Sequence, residues 1–445
     1  MHNKRFSLTQ FSGSKFLYLI LIATLILLGL GAAPAGSAQA DQTPQTSALS
    51  SPNAPPDKWH ALSNAGLSSY VQVMLVNGND LFVGGDFTKT SDGAVPDLRK
   101  IARYDTSSGD WYAFPKGGLD RSPGAFAIYG DDLYVGGFFE KSGDGTVTGL
   151  NHIARYDITD DTWNALPKLG LNQVVIALLV SGDDMYVGGL FTETFDGSVK
   201  NLGYIARYDL TDGTWHPLKN DGLNGFVRTF YLLGEDLYVG GDFTQTGDGS
   251  VTDLNGIARY DTSAGGSWHA LLNDGLTDNG AAGSVYDIKM LGSDMYVGGD
   301  FSQTGDGTLQ ELGNVARFDT NPGGTWHALS NKGLSSLVRS IAVSGSDLYF
   351  GADFTATGDL SQMNLKRVAH YDTSAGTWHA MPNDGLDKWV ETLLVDGREL
   401  YVGGGFTEAA DGTNPDLNYI ARCSLKKDEP PVELEDVYLP LVFLK

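Results

Sequence analysis

The sequence predicts an all-β protein, a seven-bladed β-propeller with four antiparallel strands in each blade. Three observations lead to this fold class. A unit of about 52 residues recurs along the chain, each unit holds four short apolar segments, and the two ends of the chain match complementary parts of the unit. A four-stranded antiparallel sheet that is repeated in this way is the architecture of a propeller.

Tryptophans set the period of the repeat. Seven of the eight tryptophans follow one another at spacings of 52 residues, with one spacing of 53 and one of 58. They are Trp59, Trp111, Trp163, Trp215, Trp268, Trp326 and Trp378. A glycine pair after an apolar segment and an "IARYD" element recur in step with them, which indicates one structural unit rather than scattered similarity.

Each unit reads as four strands. In the fourth unit the segments are 226–233, 237–243, 257–261 and 267–272, all rich in Val, Tyr, Phe or Ile. Segments of five to eight residues with this composition, separated by Gly, Asp and Ser, are typical of strands in hairpins. The glycine pairs predict places where a neighbouring chain comes too close for a Cβ atom.

The ends of the repeat region predict how the ring closes. The segment 58–63 matches the fourth strand of the unit, whereas 419–425 matches the third strand and is followed by no tryptophan. We therefore expect the N-terminal segment to complete the last blade, because this pairing removes the open sheet edges between the first and last blades.

Four regions divide the chain. Residues 1–40 resemble a secretory signal peptide, with a positive start, an apolar run and an Ala-Gln-Ala cleavage signature. The run is also long enough to be an uncleaved membrane anchor, and we expect membrane contact only through this segment and only if it is not cleaved. Residues 41–57 are predicted to be a disordered linker, 58–425 the propeller, and 426–445 a charged linker with an apolar tail that could serve in sorting or docking, or as an added strand.

Charge and cysteine content exclude several function classes. The net charge of −24 repels phosphate backbones, so nucleic acid is not an expected partner. Cys423 is the single cysteine and stands at a predicted core position, so no intrachain disulfide forms and an inert thiol is expected.

Other repeated polar residues are predicted to be structural. Asp86, Asp242 and Asp300 lie near a recurrent Asp-Gly loop that resembles a calcium loop, but the ligand pattern is incomplete in three blades, which favours turn chemistry and no cofactor. The "IAR" arginines are expected to stack on aromatic rings. Five histidines that follow tryptophans should lie apart on the outer rim, too far from one another to share a metal ion. They are His60, His216, His269, His327 and His379.

The copies differ most at the start of the first strand of each blade. One position there holds Gln72, Gly124, Ile176, Arg228, Tyr286, Arg339 and Glu391 in turn, and the preceding residues include Tyr70, Phe226, Leu337 and Trp389. These residues should ring the mouth of the central channel on the face that carries the long loops. We predict that Tyr70, Gln72, Phe226, Arg228, Tyr286, Arg339, Trp389 and Glu391 bind a protein, peptide or glycan, although sequence drift at a functionless rim would give the same pattern.

The motif "LYVGGxFT…IARYD…W" resembles kelch-type repeats, in the form found in fungal cortical polarity-marker proteins and in secreted bacterial repeat proteins. The resemblance covers 58–425 and implies a propeller that serves mainly as a binding platform. We therefore expect a secreted or surface-associated binding scaffold, with no catalytic residues identified. A secreted carbohydrate-active enzyme is the alternative, for which Asp287 and Glu391 are the acidic residues nearest the mouth, and a structural surface protein without a specific ligand is another.

Overall fold

Repeated four-stranded antiparallel sheets build the protein, as seen in a computed structural model that describes residues 58–263, 265–321 and 323–425. The predicted signal peptide, the linker before residue 58 and the tail after residue 425 lie outside these residues. The described residues form seven four-stranded sheets and one small three-stranded sheet. The prediction of an all-β fold made of four-stranded antiparallel sheets is therefore confirmed.

Strands of similar length occupy equivalent places in the sheets. The first strands are β2 (Val71–Asn77), β6 (Pro123–Tyr129), β10 (Val175–Ser181), β14 (Val227–Leu233), β20 (Ser284–Leu291), β25 (Val338–Ser344) and β29 (Val390–Asp396). The second strands are β3 (Asp80–Gly85), β7 (Asp132–Gly137), β11 (Asp184–Gly189), β15 (Asp236–Gly241), β21 (Asp294–Asp300), β26 (Asp347–Ala352) and β30 (Glu399–Gly404).

The third strands carry the "IARYD" element and the fourth strands carry the tryptophans. The third strands are β4 (Ile101–Asp105), β8 (Ile153–Asp157), β12 (Ile205–Asp209), β16 (Ile257–Asp261), β23 (Val315–Asp319), β27 (Val368–Asp372) and β31 (Ile420–Ser424). The fourth strands are β1 (His60–Ala61), β5 (Trp111–Ala113), β9 (Thr162–Ala165), β13 (Trp215–Pro217), β17 (Ser267–Ala270), β24 (Trp326–Ala328) and β28 (Thr377–Ala380).

A 3-10 turn follows every fourth strand and leads to the next sheet. These turns are Ser63–Ala65, Pro115–Gly117, Pro167–Leu169, Lys219–Asp221, Leu272–Asp274, Ser330–Lys332 and Pro382–Asp384. The chain then passes beside the loop between the second and third strands, as the bridges Leu67 to Thr90 and Leu223 to Thr246 show. The two kinds of loop therefore share one face, as the sequence predicted, and we call it the long-loop face.

The N-terminal strand joins the last sheet. In the register of β1 and β31, His60 lies opposite Arg422 and Ala61 opposite Ala421, so the order of this sheet is β1-β31-β30-β29. The pairing predicted from the chain ends is present. The first strand of the first sheet, β2, also contacts both β6 and β29.

Tight contacts at the glycine pairs fix the distance between sheets. A Cβ atom on Gly136 would lie 2.4 Å from Cγ1 of Val175 in the next sheet, and one on Gly403 would lie 2.6 Å from Cγ1 of Val71. Real Cβ atoms do not approach another carbon so closely, so only glycine fits. The close approach predicted for the first glycine of each pair is confirmed.

The tryptophans fasten each sheet to the preceding one. Their indole N–H groups donate to the first carbonyl of the 3-10 turn after the preceding fourth strand, at 2.9 to 3.3 Å. Trp59 follows the same rule and donates to Pro382 across the chain ends at 3.1 Å. The predicted packing of tryptophan into the neighbouring sheet is confirmed, and Trp59 is fully buried.

One insertion interrupts the repeat. The longer connection before the fifth sheet forms a hairpin of β18 (Leu276–Asp278) and β19 (Ala281–Ala282), which pairs with β22 (Gln303–Thr304) in the loop of that sheet. The extra residues behind the spacing of 58 thus add a small three-stranded sheet to the long-loop face.

The substitution Trp59→Ala tests the role of the N-terminal strand. We expect it to lower the free energy of unfolding by about 3–5 kcal/mol, because a fully buried indole and its hydrogen bond are lost. In urea unfolding, the loss of unfolding free energy should be similar to that of Trp215→Ala, the equivalent substitution in the interior of the chain. A loss below about 1 kcal/mol for Trp59→Ala alone would show that β1 is peripheral.

The pair Gly136 and Val175 tests the contact between sheets. Gly136→Ala should destabilise by about 1–3 kcal/mol through overpacking, and Val175→Ala by about 2 kcal/mol through lost burial. In the double variant the new Cβ gains room, so its loss should be smaller than the sum by about 1 kcal/mol. Additive losses in urea unfolding would contradict the proposed contact.

Candidate functional site

The variable residues at the start of the first strands are β-bulge residues. The register with the second strand slips between Val227 and Thr229, between Val338 and Ser340, and between Val390 and Thr392, so the residue between each pair is the extra one. The same slip occurs in the other four sheets. A bulge turns the side chain of its extra residue away from the regular alternation of the strand. This explains why the residue type at this position differs from sheet to sheet. We call these seven residues the bulge set.

Arg228 forms one polar cluster within the bulge set. Its Nε and Nη2 atoms donate to the two oxygens of Asp242 at 3.0 and 2.7 Å. Its guanidinium carbon also lies 4.7 Å from the ring centroid of Tyr286 in the next sheet. Phe226 stands beside it and packs edge-on against Tyr204 at 5.7 Å between ring centroids. Bidentate pairing together with ring stacking holds the guanidinium in one orientation.

Arg339 forms a second cluster and links two sheets. It contacts Asp353 of its own sheet at 2.6 Å and Glu391 of the next sheet at 3.2 Å, and only 7% of its side-chain surface is exposed. Burial raises the pKa of Glu391, against the opposing effect of Arg339. The Glu391 side chain still keeps 37% of its surface accessible, so the carboxyl group is enclosed by protein and yet reachable from solvent.

Trp389 stands two residues before Glu391 at the start of β29, and Tyr70 stands at the start of β2 in the neighbouring sheet. The indole of Trp389 lies against Gly405, where a Cβ atom would stand 2.2 Å from Cζ2. Burial, followed by the charges of Asp86 and Glu391, raises the pKa of Tyr70 to about 12. Asp86 in turn binds Lys100 at 2.5 Å through Oδ1. The structure thus brings Arg339 and Glu391 together across two sheets, with Tyr70 of a third sheet close enough for its pKa to respond to Glu391, and it brings Arg228 and Tyr286 together across two others.

The acidic partners of the two bulge arginines, Asp242 and Asp353, were not predicted from the sequence. Asp242 was grouped with a calcium-like loop, whereas the structure makes it the partner of Arg228, and Asp353 has the same relation to Arg339. The sequence did contain a signal, because each arginine is followed by an aspartate 14 residues later.

Asp287 has a structural place. It is buried, accepts the N–H of Ile341 from the next sheet at 2.8 Å through Oδ2, and binds Lys289 at 2.6 Å through Oδ1. These contacts tie β20 to β25. They use both carboxylate oxygens, which would otherwise be the atoms available for acid-base chemistry with Glu391.

The expected stacking of the "IAR" arginines is corrected by the structure. These arginines form ion pairs with the acidic residue that begins the second strand, as in Arg103 with Asp80 at 2.9 Å and Arg317 with Asp294 at 2.9 Å. The strand register places each acid two residues from the position opposite its arginine, so the two charged side chains are diagonal neighbours across the strands. Arg103 also stacks on Tyr112, an exposed tyrosine rather than a tryptophan. His370 keeps the same arrangement with Asp347 at 3.0 Å.

The Asp-Gly loops are turns held by their aspartates, which agrees with the preferred interpretation from sequence. Asp248 accepts the Ser250 hydroxyl at 2.7 Å, the Ser250 N–H at 2.9 Å and the Asn220 amide at 3.1 Å. The Ser250 hydroxyl makes the largest contribution to lowering the pKa of Asp248. Equivalent bonds occupy Asp92, Asp144, Asp196, Asp306, Asp359 and Asp411. Within the described ranges, no three His, Cys, Asp or Glu residues are grouped as a metal site would require.

Cys423 lies in the core, as predicted. Its side chain is fully buried, and desolvation raises the pKa of the thiol to about 12. The thiolate is therefore suppressed at neutral pH, and the residue acts as a small apolar side chain.

The turn aspartates predict how stability depends on pH. Their pKa values are lowered in the folded state, so the stabilisation is fully present above about pH 4 and is lost as the pH falls through the folded values. We expect the urea midpoint to fall below about pH 4, and less steeply in Asp248→Asn. Ser250→Ala keeps the charge and removes the strongest donor, so it should act in the same direction. A pH profile unchanged in both variants would contradict this account.

Comparisons with known proteins agree with the repeat pattern. The chain is 28% identical over 194 residues to the polarized growth protein rax2 of Schizosaccharomyces pombe, covering 42% of this chain and 15% of that protein. It is 40% identical over 110 residues to the polarized growth protein L1 of a Phoma species, covering 25% and 8%. It is 27% identical over 130 residues to Kelch-like protein 38 of Rattus norvegicus, covering 29% and 21%.

These similarities define the type of repeat. The repeats of this chain are of the kelch type, similar to parts of Kelch-like protein 38 and of the polarized growth proteins. The matched part spans less than a quarter of the length of each of these relatives. No protein-family model matches the chain.

Solved structures support the fold. Two structures of an extracellular domain from B. thetaiotaomicron, described as part of a one-component and of a hybrid two-component system, match 82% of this chain with TM-scores of 0.51 and 0.52. They share 13% sequence identity with it, and the match covers 40% and 39% of those chains. At this identity the likeness shows the fold alone. The described residues contain no helix with the length and hydrophobicity needed to cross a bilayer.

Proposed function

We propose that the seven four-stranded sheets form a closed, seven-bladed ring with a central channel. Three contacts across the chain ends support closure: the pairing of β1 with β31, the bond from Trp59 to Pro382, and the tight approach of Gly403 to Val71. In this ring the bulge set surrounds the channel mouth on the long-loop face.

The proposed function is that of a protein-binding platform, exported from the cell, which binds its partner at this mouth. The observation that carries the proposal is the break in the repeat at the bulge set, because scaffold contacts there use the residues before and after each bulge. Arg, Tyr and Trp are the residue types that contribute most at protein interfaces. Kelch-like protein 38 and the polarized growth proteins support a protein-interaction role, and the predicted signal peptide supports export.

The mouth is asymmetric, which suits one partner in one orientation. Half-buried apolar residues and a glycine occupy the second and third sheets, namely Gly124, Phe138, Ile176 and Leu190. The fourth to seventh sheets carry the arginine clusters and Glu391. A partner segment with one apolar side and one polar side would match this division.

Binding is proposed in preference to catalysis because three of the carboxylates near the mouth hold other groups, which leaves Glu391 without a second carboxyl group to act with it. Asp287 bonds the backbone of the next strand, and Asp242 and Asp353 pair with arginines. A general acid or base would need a carboxyl group aimed at substrate.

Array screening of the whole chain tests the proposal. Peptide, protein and glycan arrays, with and without calcium, should yield ligands whose binding falls at least tenfold in Trp389→Ala or Arg228→Ala, about 1.4 kcal/mol or more. Tyr112→Ala and Arg398→Ala are matched controls, since both remove an exposed side chain of similar type far from the bulge set. Ligands that bind all four variants equally would exclude the mouth as the binding site.

A further inference from the structure

In the seventh sheet, the residue after the glycine pair and the residue before the first strand both differ from the repeat, although the other six sheets form without this change. After the glycine pair, six sheets carry a side chain, which is Asp86, Phe138, Leu190, Asp242, Asp300 or Asp353. The seventh sheet has Gly405, and the indole of Trp389 fills the space. Trp389 is also the one tryptophan outside the repeat period. The half-buried indole is thus fixed against backbone on one side at the rim of the mouth.

The seventh sheet and the first sheet, which it contacts, both carry hydrogen-bond acceptors in this sector of the mouth. Oε1 of Gln72 is enclosed and has no hydrogen-bond partner among the described residues. Lys100 and Ser122 both reach Oδ1 of Asp86, and Arg339 reaches Oε2 of Glu391. Among the described residues, these contacts engage one oxygen of each carboxylate, and the second oxygen is the atom that a ligand would meet. An enclosed acceptor without a donor is unfavourable, so the sector favours a ligand that brings N–H or O–H donors.

On the other side of the mouth, a cation of the protein itself pairs with the carboxylate and stacks on the aromatic ring. There the guanidinium of Arg228 lies 4.7 Å from the centroid of Tyr286 and binds both oxygens of Asp242. An aromatic face, a carboxylate and a cation form one unit. Among the described residues, no lysine or arginine is stacked on Trp389 in the same way.

We infer that the sector formed by Tyr70, Gln72, Trp389 and Glu391, the Trp389 site, binds an arginine or lysine side chain of a protein partner. The inference rests on the proposed binding function and specifies the partner's chemistry. The cation stacks on the indole and donates to Gln72 Oε1 and to the open carboxylate oxygen of Glu391. The net charge of −24 attracts a basic segment from a distance and repels an anionic one. A neutral sugar also offers donors, but it gains nothing from this charge.

Fluorine NMR of the full chain labelled with 5-fluorotryptophan tests the site directly. The probe is the blocked peptide Ac-Gly-Ser-Arg-Gly-Ser-NH2, and Trp389→Phe assigns the resonance. The Arg peptide should shift the Trp389 signal saturably at millimolar concentration, and the Lys peptide should do so more weakly. The citrulline peptide, which keeps the shape without the charge, should bind about tenfold more weakly or not at all.

Matched charge changes separate the site from general attraction. Glu391→Gln keeps a partner for Arg339 and should weaken binding of the Arg peptide several-fold. Asp97→Asn removes the same charge from an exposed carboxylate and should leave binding within about twofold. Equal effects of the two changes would overturn the inference, as would a Trp389 signal that responds to glucose, galactose or N-acetylglucosamine but not to the Arg peptide. The other tryptophan signals report that each variant remains folded.

Failure of this inference and failure of the proposed function give different results. If an array ligand requires Arg228 but not Trp389, and the Trp389 signal does not respond to the Arg peptide, the Trp389 site is rejected and the proposed binding platform is retained. A specific response of Trp389 to the Arg peptide, with array ligands insensitive to both mouth variants, supports the site and removes the mouth as the main platform.

Discussion

The contact between a glycine of one sheet and the residue before the bulge of the next sheet is the constraint on which the rest of the structure depends. It recurs in all seven sheets, where a Cβ atom would come within 2.4 to 3.0 Å of the neighbouring side chain. Because no larger residue fits, the first strands are held at one distance and one angle from each other. The tryptophan bonds then set the spacing at the far edge of each sheet, so both edges are fixed by side chains that the repeat supplies in every copy.

The same constraint determines where the sequence is free to vary. The residue before each bulge fills the contact with glycine, and the residue after it packs between sheets or bonds the neighbouring strand, as Asp287 and Ser340 do. The bulge residue lies between these two and takes part in neither contact. A repeat protein can therefore change seven side chains at the starts of its first strands without disturbing the packing of the sheets. This physical freedom explains why Arg228, Tyr286, Arg339 and Glu391 occupy equivalent positions and yet differ so widely.

Most of the scaffold could be read from the sequence, because period and strand pattern are local properties. The four strands of each unit, the pairing of the N-terminal segment with the last sheet and the burial of Trp59 all follow from matching one copy to another. The positions of the candidate site could also be predicted, because the residues there differ between copies of the repeat and this difference is visible in the sequence. Their partners did not, because Arg339 reaches Asp353 and Glu391 only after a one-residue slip in register turns its side chain. The "IAR" arginines were assigned to rings for a similar reason. Cross-strand register, which places Arg103 opposite Phe82 and close to Asp80, is set by the turn and not by the arginine's own surroundings.

The acid excess has two origins that act together. Many aspartates hold turns, where hydroxyl and backbone N–H groups satisfy the carboxylate, as at Asp248 and Asp411. Others begin the second strands and are neutralised by the "IAR" arginines. The turn aspartates have few cationic partners, so repetition of one turn seven times leaves the whole molecule negative as a consequence of its scaffold. A negative scaffold costs little here, since these carboxylates are exposed and spread over seven loops. It nevertheless attracts basic groups over a long range, and in the proposed binding mode the fixed side chains of the Trp389 site would add a preference for one geometry.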